Sequence, residues 1–261
     1  MLVCCSGMAR SGSTWSYNVC RRIAETTGMP TVAGFYGEGD ALDTYIQAHR
    51  LTEFPGHVVL KLHQPGPALL KLILEGTARN IYTIRDPRDC LCSRMRFENR
   101  AFEDALLAVV GNLLMLNCYE AAGGSLLVHY DAMMADPRAE IARIAGHMGV
   151  TLEPGQIDEI DAATGLEKSR DTMRELEAGA IPSAREVAGR LVDPRTCLQS
   201  GHISRGGTGL WRDELTAAEN MTATAVLRDW LVQLEYEKAG EIDGRIAAHL
   251  GTHAVAEAAP A

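Results

Sequence analysis

Short apolar runs bounded by glycine, proline or charge alternate along this chain with longer stretches in which apolar residues recur every three or four positions. Runs too short and too continuous for an amphipathic helix predict strands covered on both faces, and the longer stretches predict the helices that cover them. From Val3 to Ile23, VCCSGMARSGSTWSYNVCRRI, the pattern passes from an apolar strand through a glycine-punctuated turn into a helix. Ala33 to Ala48 reads as a glycine-containing connection followed by a short helix. His57 to His63, HVVLKLH, is the next strand; Gln64-Pro65-Gly66-Pro67 stops it and a helix follows from Ala68 to Glu75. Arg79 to Ile84 is a third strand, ending at Arg85-Asp86-Pro87-Arg88-Asp89, where the aspartate and proline open a helix through about Phe97. Phe102 to Ala121 is helical, Ser125 to Tyr130 a strand, and Pro137 to Met148 and Pro154 to Ala163 are helices.

This alternation predicts an α/β fold, a doubly wound parallel sheet of P-loop-like type flanked by helices, with residues 1–261 as one domain. Residues 165–204 turn charged and irregular around a helical piece at Glu167 to Glu177, the pattern of a lid or insertion. A helix is expected from Leu215 to Glu237, and the tail 252–261 is expected to fray.

Composition narrows the function classes. A hydrophobic fraction of 46% supports a packed core, while a net charge of −9 and a pI near 5.4 argue against a nucleic-acid partner, whose phosphates demand a basic surface. No apolar run approaches the roughly 20 residues that span a bilayer, and the N-terminus lacks a basic segment followed by an apolar one, so a cytosolic protein without a membrane partner is expected. The seven cysteines lie mostly within predicted strands and helices without CxxC or His–Cys clusters; they read as reduced core residues, and no metal is expected. Monomer and homodimer are both compatible with the sequence.

The candidate chemistry begins in the first turn. Gly7 and Gly12 frame four residues and Ser13-Thr14 follow, the spacing of a GxxxxGK[ST] loop with serine where the lysine stands. Without that lysine the loop is poorly built for triphosphate chemistry. It keeps the makings of an anion site: amides of Gly12 to Thr14 at a helix start, two hydroxyls and the helix dipole, with Arg10 inside the turn. Ligands of open α/β sheets gather at the carboxyl ends of strands, and charge stands at those ends here. Lys61 and His63, two apart, point to one face; Arg85 ends the third strand, with Ser93 about two helical turns beyond. In Ile203 to Trp211, ISRGGTGLW, Arg205 is followed by Gly206, Gly207 and Gly209, which let backbone amides approach a ligand. Each element alone also has a plain structural reading: a tight turn, a hydrogen-bonding histidine, a capping turn with solvated charges, a hinge.

Together they resemble the sulfotransferase family that uses 3′-phosphoadenosine 5′-phosphosulfate (PAPS), over most of the chain. Arg10-Ser11-Gly12-Ser13-Thr14-Trp15 is similar to the family's 5′-phosphosulfate loop, with Arg10 in place of the usual lysine; the resemblance implies Arg10 at the sulfated 5′-phosphate and Trp15 stacked on adenine. Lys61-Leu62-His63 looks like the segment whose histidine is the catalytic base, and Arg85 with Ser93 resembles the 3′-phosphate motif. Tyr130 stands where the family often has an adenine-site tyrosine. Arg205-Gly206-Gly207-Thr208-Gly209-Leu210-Trp211 is similar to the late loop closing over the 3′-phosphate, with Gly206 replacing its second basic residue. The resemblance implies metal-free, in-line sulfuryl transfer to a hydroxyl or amine, with 3′-phosphoadenosine 5′-phosphate (PAP) leaving, His63 as base, and Lys61 and Arg10 stabilising charge. The acceptor would be a small molecule lined by the segment around Phe35 to His49, the helix near Arg96 to Phe102, and the Gly165 to Thr196 lid. A P-loop kinase-like phosphotransferase shares the sheet and first loop but needs the missing lysine. A noncatalytic nucleotide-binding protein has no use for the Lys61-x-His63 pair.

Overall fold

The computed structural model describes residues 1–203 and 206–257, with side chains as far as His249. Arg205 therefore lies outside the described residues. In chain order the elements are β1 (Leu2–Gly7), α1 (Ser13–Thr26), β2 (Thr31–Gly34), α2 (Gly39–Ala48), β3 (His57–Lys61), α3 (Pro67–Leu74), β4 (Ala78–Ile84), α4 (Pro87–Glu98), α5 (Phe102–Ala122) and β5 (Ser125–His129). They continue as α6 (Tyr130–Ala135), α7 (Pro137–Met148), α8 (Pro154–Thr164), α9 (Leu166–Glu177), β6 (Arg185–Val187), β7 (Arg190–Val192), α10 (Trp211–Glu214), α11 (Ala217–Val226), α12 (Arg228–Gln233) and α13 (Ala239–Glu257). The chain forms two compact units, one of Met1–Arg85 with Gly111–Gly207 and the other of Asp86–Val110 with Thr208–Ala261.

The first unit holds a parallel sheet in the order β2-β3-β1-β4-β5, an α/β fold of the expected P-loop-like kind. Every residue of β1 is buried. Val3 and Cys5, with Val59, Ile81 and Val128 of the neighbouring strands, join one apolar cluster with α1, α7 and α8, while Leu2 and Cys4 are buried on the opposite face. A strand covered on both sides has no polar face, which is why these runs read as continuous rather than alternating. The order places β1 between β3 and β4, so the loop after β1 sits where connections leave in opposite directions, the usual ligand crevice of such sheets.

Several expectations are corrected. β2, four residues at the sheet edge of which three are half-buried, was not expected and runs into the stretch read as a connection, being too short to announce itself. The irregular span after α9 contains the β6–β7 hairpin. In the second unit, the helix expected from Leu215 to Glu237 is split: Leu227 (φ −94°, ψ 4°) separates α11 from α12, while Leu227, Leu231 and Leu234 are buried at the three- and four-residue spacing of one helical face. Strand β5 ends at His129, and Tyr130 opens α6. The expectation about apolar runs also fails. α5, with 21 residues and an 18-residue window of mean hydropathy 1.5, is long and apolar enough to cross a membrane by length and composition. Its buried residues Ala105, Leu106, Val109, Leu113, Leu116 and Tyr119 recur at a spacing of three and four, one helical stripe within an almost uniformly apolar sequence. Its periodicity is therefore weak in the sequence and visible only in the burial.

Candidate functional site

The loop between β1 and α1 is held by contacts only glycine and a short hydroxyl permit. Gly7 has φ +152°, and a Cβ there would fall 2.0 Å from Thr83 Oγ1 on the adjacent strand. Ser11 is fully buried and its hydroxyl meets Met8 O at 2.7 Å and Thr83 O at 2.9 Å, fastening the loop to β4. Arg10 takes the left-handed conformation at φ +74°, and Gly12, at φ +92°, ends the loop as the N-cap of α1. A glycine offers no side-chain cap, and the first turn carries no acidic residue. The amides of Gly12, Ser13 and Thr14 donate to no group among the described residues. The Thr14 hydroxyl is buried there without a hydrogen-bond partner. Unmet donors of this kind at a helix start, with the positive end of the helix dipole, suit an anion.

Opposite the loop, β3 delivers Lys61 and His63. Lys61 is paired in register with Cys5 and buried, and its Nζ lies 3.3 Å from His63 Nε2 and 3.5 Å from Ser13 Oγ. Burial pushes the Lys61 pKa down, with Arg10 adding to the effect and Cys197, Cys5 and Glu38 opposing it. His63 Nδ1 is 2.7 Å from the carbonyl of Gly7, an acceptor only, so Nδ1 carries the proton and a neutral ring keeps its lone pair on Nε2. The His63 backbone N–H donates to Glu38 Oε1 at 2.9 Å.

Arg85, at the end of β4, lies over the Tyr130 ring at 4.4 Å and donates to the carbonyls of Arg10 (3.2 Å) and Gly207 (2.7 Å). Gly206 and Gly207 both have positive φ, and a Cβ on Gly206 would stand 4.0 Å from the Tyr130 hydroxyl. The Arg10 guanidinium donates to the carbonyl of His202. Trp15 is half-buried and packs against the apolar cluster. In the first unit Ser13, Lys61 and His63 thus form one set of contacts and Arg10, Arg85, Tyr130 and Gly207 another, with Gly12 and Thr14 flanking Ser13 and Gly206 beside Gly207 in the chain.

In the second unit Ser93 is buried on α4. The charges beside it are not solvated: Arg88 and Asp89 are each 1% exposed. Arg88 pairs with Asp86 and Glu237 and lies over the Trp211 ring at 3.7 Å. Asp89 accepts the N–H groups of Gly209 (2.8 Å) and Trp211 (3.0 Å), tying the RDPRD segment to the GLW turn.

The model of the sulfotransferase domain family matches residues 3–235. The chain is a member of the sulfotransferase family. It is 22% identical to sulfotransferase 1C2 of Oryctolagus cuniculus over 184 residues, 64% of this chain and 59% of that relative's length. Among solved structures it resembles mouse sulfotransferase SULT7A1 complexed with PAP, with 14% identity, TM-score 0.59, and coverage of 96% of this chain and 88% of that one. It also resembles retinol dehydratase in complex with androsterone and inactive cofactor PAP, with 18% identity, TM-score 0.55, and coverage of 88% and 80%. At these identities the structures speak for a shared fold.

Within this sulfotransferase-family chain, sequence reasoning overlooked Glu38, Asp89, Arg190 and His202. Glu38 and His63 are 25 residues apart and no local pattern pairs them. The His202 carbonyl receives the Arg10 guanidinium, and burial, together with the positive charges of Arg10, Lys61, His63 and Arg190, pushes the His202 pKa well below the ordinary value. Its only signal was adjacency to the late glycine-rich loop.

Proposed function

We propose that this chain transfers a sulfuryl group from PAPS to a hydroxyl or amine of a small molecule. The observation that carries this reading is the end of α1: three unmet amides and a buried, unpartnered Thr14 hydroxyl beside Lys61 and His63. Such a donor set suits the anionic 5′ end of PAPS, which Gly12, Ser13, Thr14, Arg10 and Lys61 would hold. Bound PAPS supplies an activated sulfuryl group joined to a phosphate that can leave. His63 Nε2 takes the acceptor's proton, its tautomer maintained by the Gly7 carbonyl and its backbone by Glu38. Lys61 and Arg10 stabilise the negative charge that gathers as the acceptor attacks, and Ser11 shapes the loop rather than binding through its hydroxyl. Arg85, Gly206 and Gly207 are assigned to the 3′-phosphate and Trp15 and Tyr130 to the adenine. Ser93 and Arg205 are assigned to the 3′-phosphate on the motifs alone. No metal is given a role. The chain is proposed to act as one sulfotransferase domain in the cytosol, with residues 165–204 on the acceptor side.

Calorimetry with PAP and ATP, followed by single-turnover transfer from labelled PAPS, tests the reading. PAP is expected to bind far more tightly than ATP without magnesium. His63→Ala should lower turnover by roughly 10² to 10⁴ with PAP affinity nearly unchanged. Equal affinity for ATP, or near-normal turnover in the variant, would refute the assignment.

A further inference from the structure

Gly206, Gly207 and Gly209 all have positive φ, at +65°, +104° and +73°. Glycine reaches such angles freely, so a run of this kind is costly in entropy to hold in one shape. In the second unit its exit is fastened by one side chain. The buried Asp89 accepts the N–H of Gly209 on Oδ2 at 2.8 Å and the N–H of Trp211 on Oδ1 at 3.0 Å, so both carboxylate oxygens grip the turn. Leu210, the residue before α10, supplies no side-chain cap, and Asp89 meets the first amide of that helix in its place. The buried Trp211 ring is further held under the guanidiniums of Arg88 at 3.7 Å and Arg212 at 4.4 Å.

Asp89 and Ser93 are four residues apart on α4, so the two buried side chains share one face of that helix. On the proposed function Ser93 and Gly207 meet the 3′-phosphate. A carboxylate one helical turn from Ser93 works against that dianion by its charge alone. What the carboxylate offers in return is geometric: it fixes Gly209, two residues after Gly207, so the loop need not be ordered by the ligand.

We propose that Asp89 is a positioning residue for the cofactor, holding the exit of the late glycine loop in the shape that receives the 3′-phosphate before the cofactor arrives. This inference rests on the sulfotransfer reading. Asp89→Asn keeps the size of the side chain but removes its charge and one of the two acceptors. Charge and positioning then predict opposite signs, since losing a negative charge favours a dianion and releasing the loop disfavours it. The test is calorimetry of the wild type and variant with PAP and with adenosine 5′-monophosphate, which lacks the 3′-phosphate. The variant should bind PAP about tenfold more weakly, the factor that follows when about one molecule in ten keeps the competent loop, while its affinity for the monophosphate stays within about twofold. A purely structural role would weaken both ligands alike. Hydrogen exchange on the wild-type protein gives a second readout that does not depend on the variant folding: the Gly209 and Trp211 amides should be protected without ligand as strongly as the amides of α4. Unchanged or tighter PAP binding in the variant, equal losses for the two ligands, or fast exchange at Gly209 and Trp211 until PAP is added would overturn the inference. A wild-type protein that binds PAP no better than the monophosphate would instead overturn the sulfotransfer reading.

Discussion

Replacing Thr14 by valine separates the two costs carried by the end of α1. The side chains are nearly the same shape, both are β-branched, and their helix propensities are close, so the substitution exchanges little besides a hydroxyl for a methyl. That hydroxyl is buried with no hydrogen-bond partner, a state that costs about 1–3 kcal/mol. Thr14→Val is therefore expected to stabilise the ligand-free protein, by on the order of 1 kcal/mol after imperfect repacking, which is a rise of about 2–4 °C in the unfolding midpoint for a domain of this size. If the hydroxyl exists to meet an anionic oxygen, the same change removes a charge-assisted hydrogen bond of about 1.5–3 kcal/mol and should weaken PAP binding by about 10- to 150-fold. Scanning fluorimetry with and without PAP, together with calorimetry, reads both effects: the variant melts higher alone and gains less from ligand. A lower ligand-free midpoint would refute the reading of Thr14 as an unmet donor. Unchanged PAP affinity would remove it from the anion site.

Two other perturbations test the frame around that site. Gly7→Ala adds a Cβ 2.0 Å from Thr83 Oγ1 and 2.8 Å from Thr83 O at φ +152°, so overpacking of about 1–3 kcal/mol should add to backbone strain of about 1–3 kcal/mol; a urea midpoint within error of wild type would contradict this close approach. His202 has its folded-state pKa held well below 6.5, so as pH falls through 6.5 the unfolded chain takes up a proton that the folded chain refuses, and stability should drop on the acid side and be indifferent to this group above it. His57 and His147, also shifted down, act in the same direction, so His202→Gln should flatten the acid limb without abolishing it; a limb of unchanged slope would place His202 outside the cationic group.

The elements that carry the candidate chemistry were legible because they depend on short separations. Gly7, Gly12 and Ser13-Thr14 announce a strand, turn and helix within a dozen residues, and the turn needs positive φ at both glycines. Lys61 and His63 are two apart on or beside a strand, so the pleat alone brings them to one side, and their side chains meet at 3.3 Å. The buried strands were readable because a sheet covered on both faces admits only apolar runs. What the sequence left open is which distant partner each group meets. The unmet Thr14 hydroxyl, the Glu38 carboxylate on the His63 amide, the Asp89 clamp on Gly209 and Trp211, and the break at Leu227 have no local signature. Each arises because a buried polar group or leucine settles against a neighbour that folding, rather than sequence proximity, brings near. Sequence by itself determined the strand-and-helix alternation, the glycine-framed loop before α1 and the strand-end charges, since periodicity and turn stereochemistry act over a few residues. Only the tertiary structure decided the pairing of those charges, the edge position of β2 and the hold of Asp89 on the late glycine loop, since burial and hydrogen-bond satisfaction are settled between residues far apart in the chain.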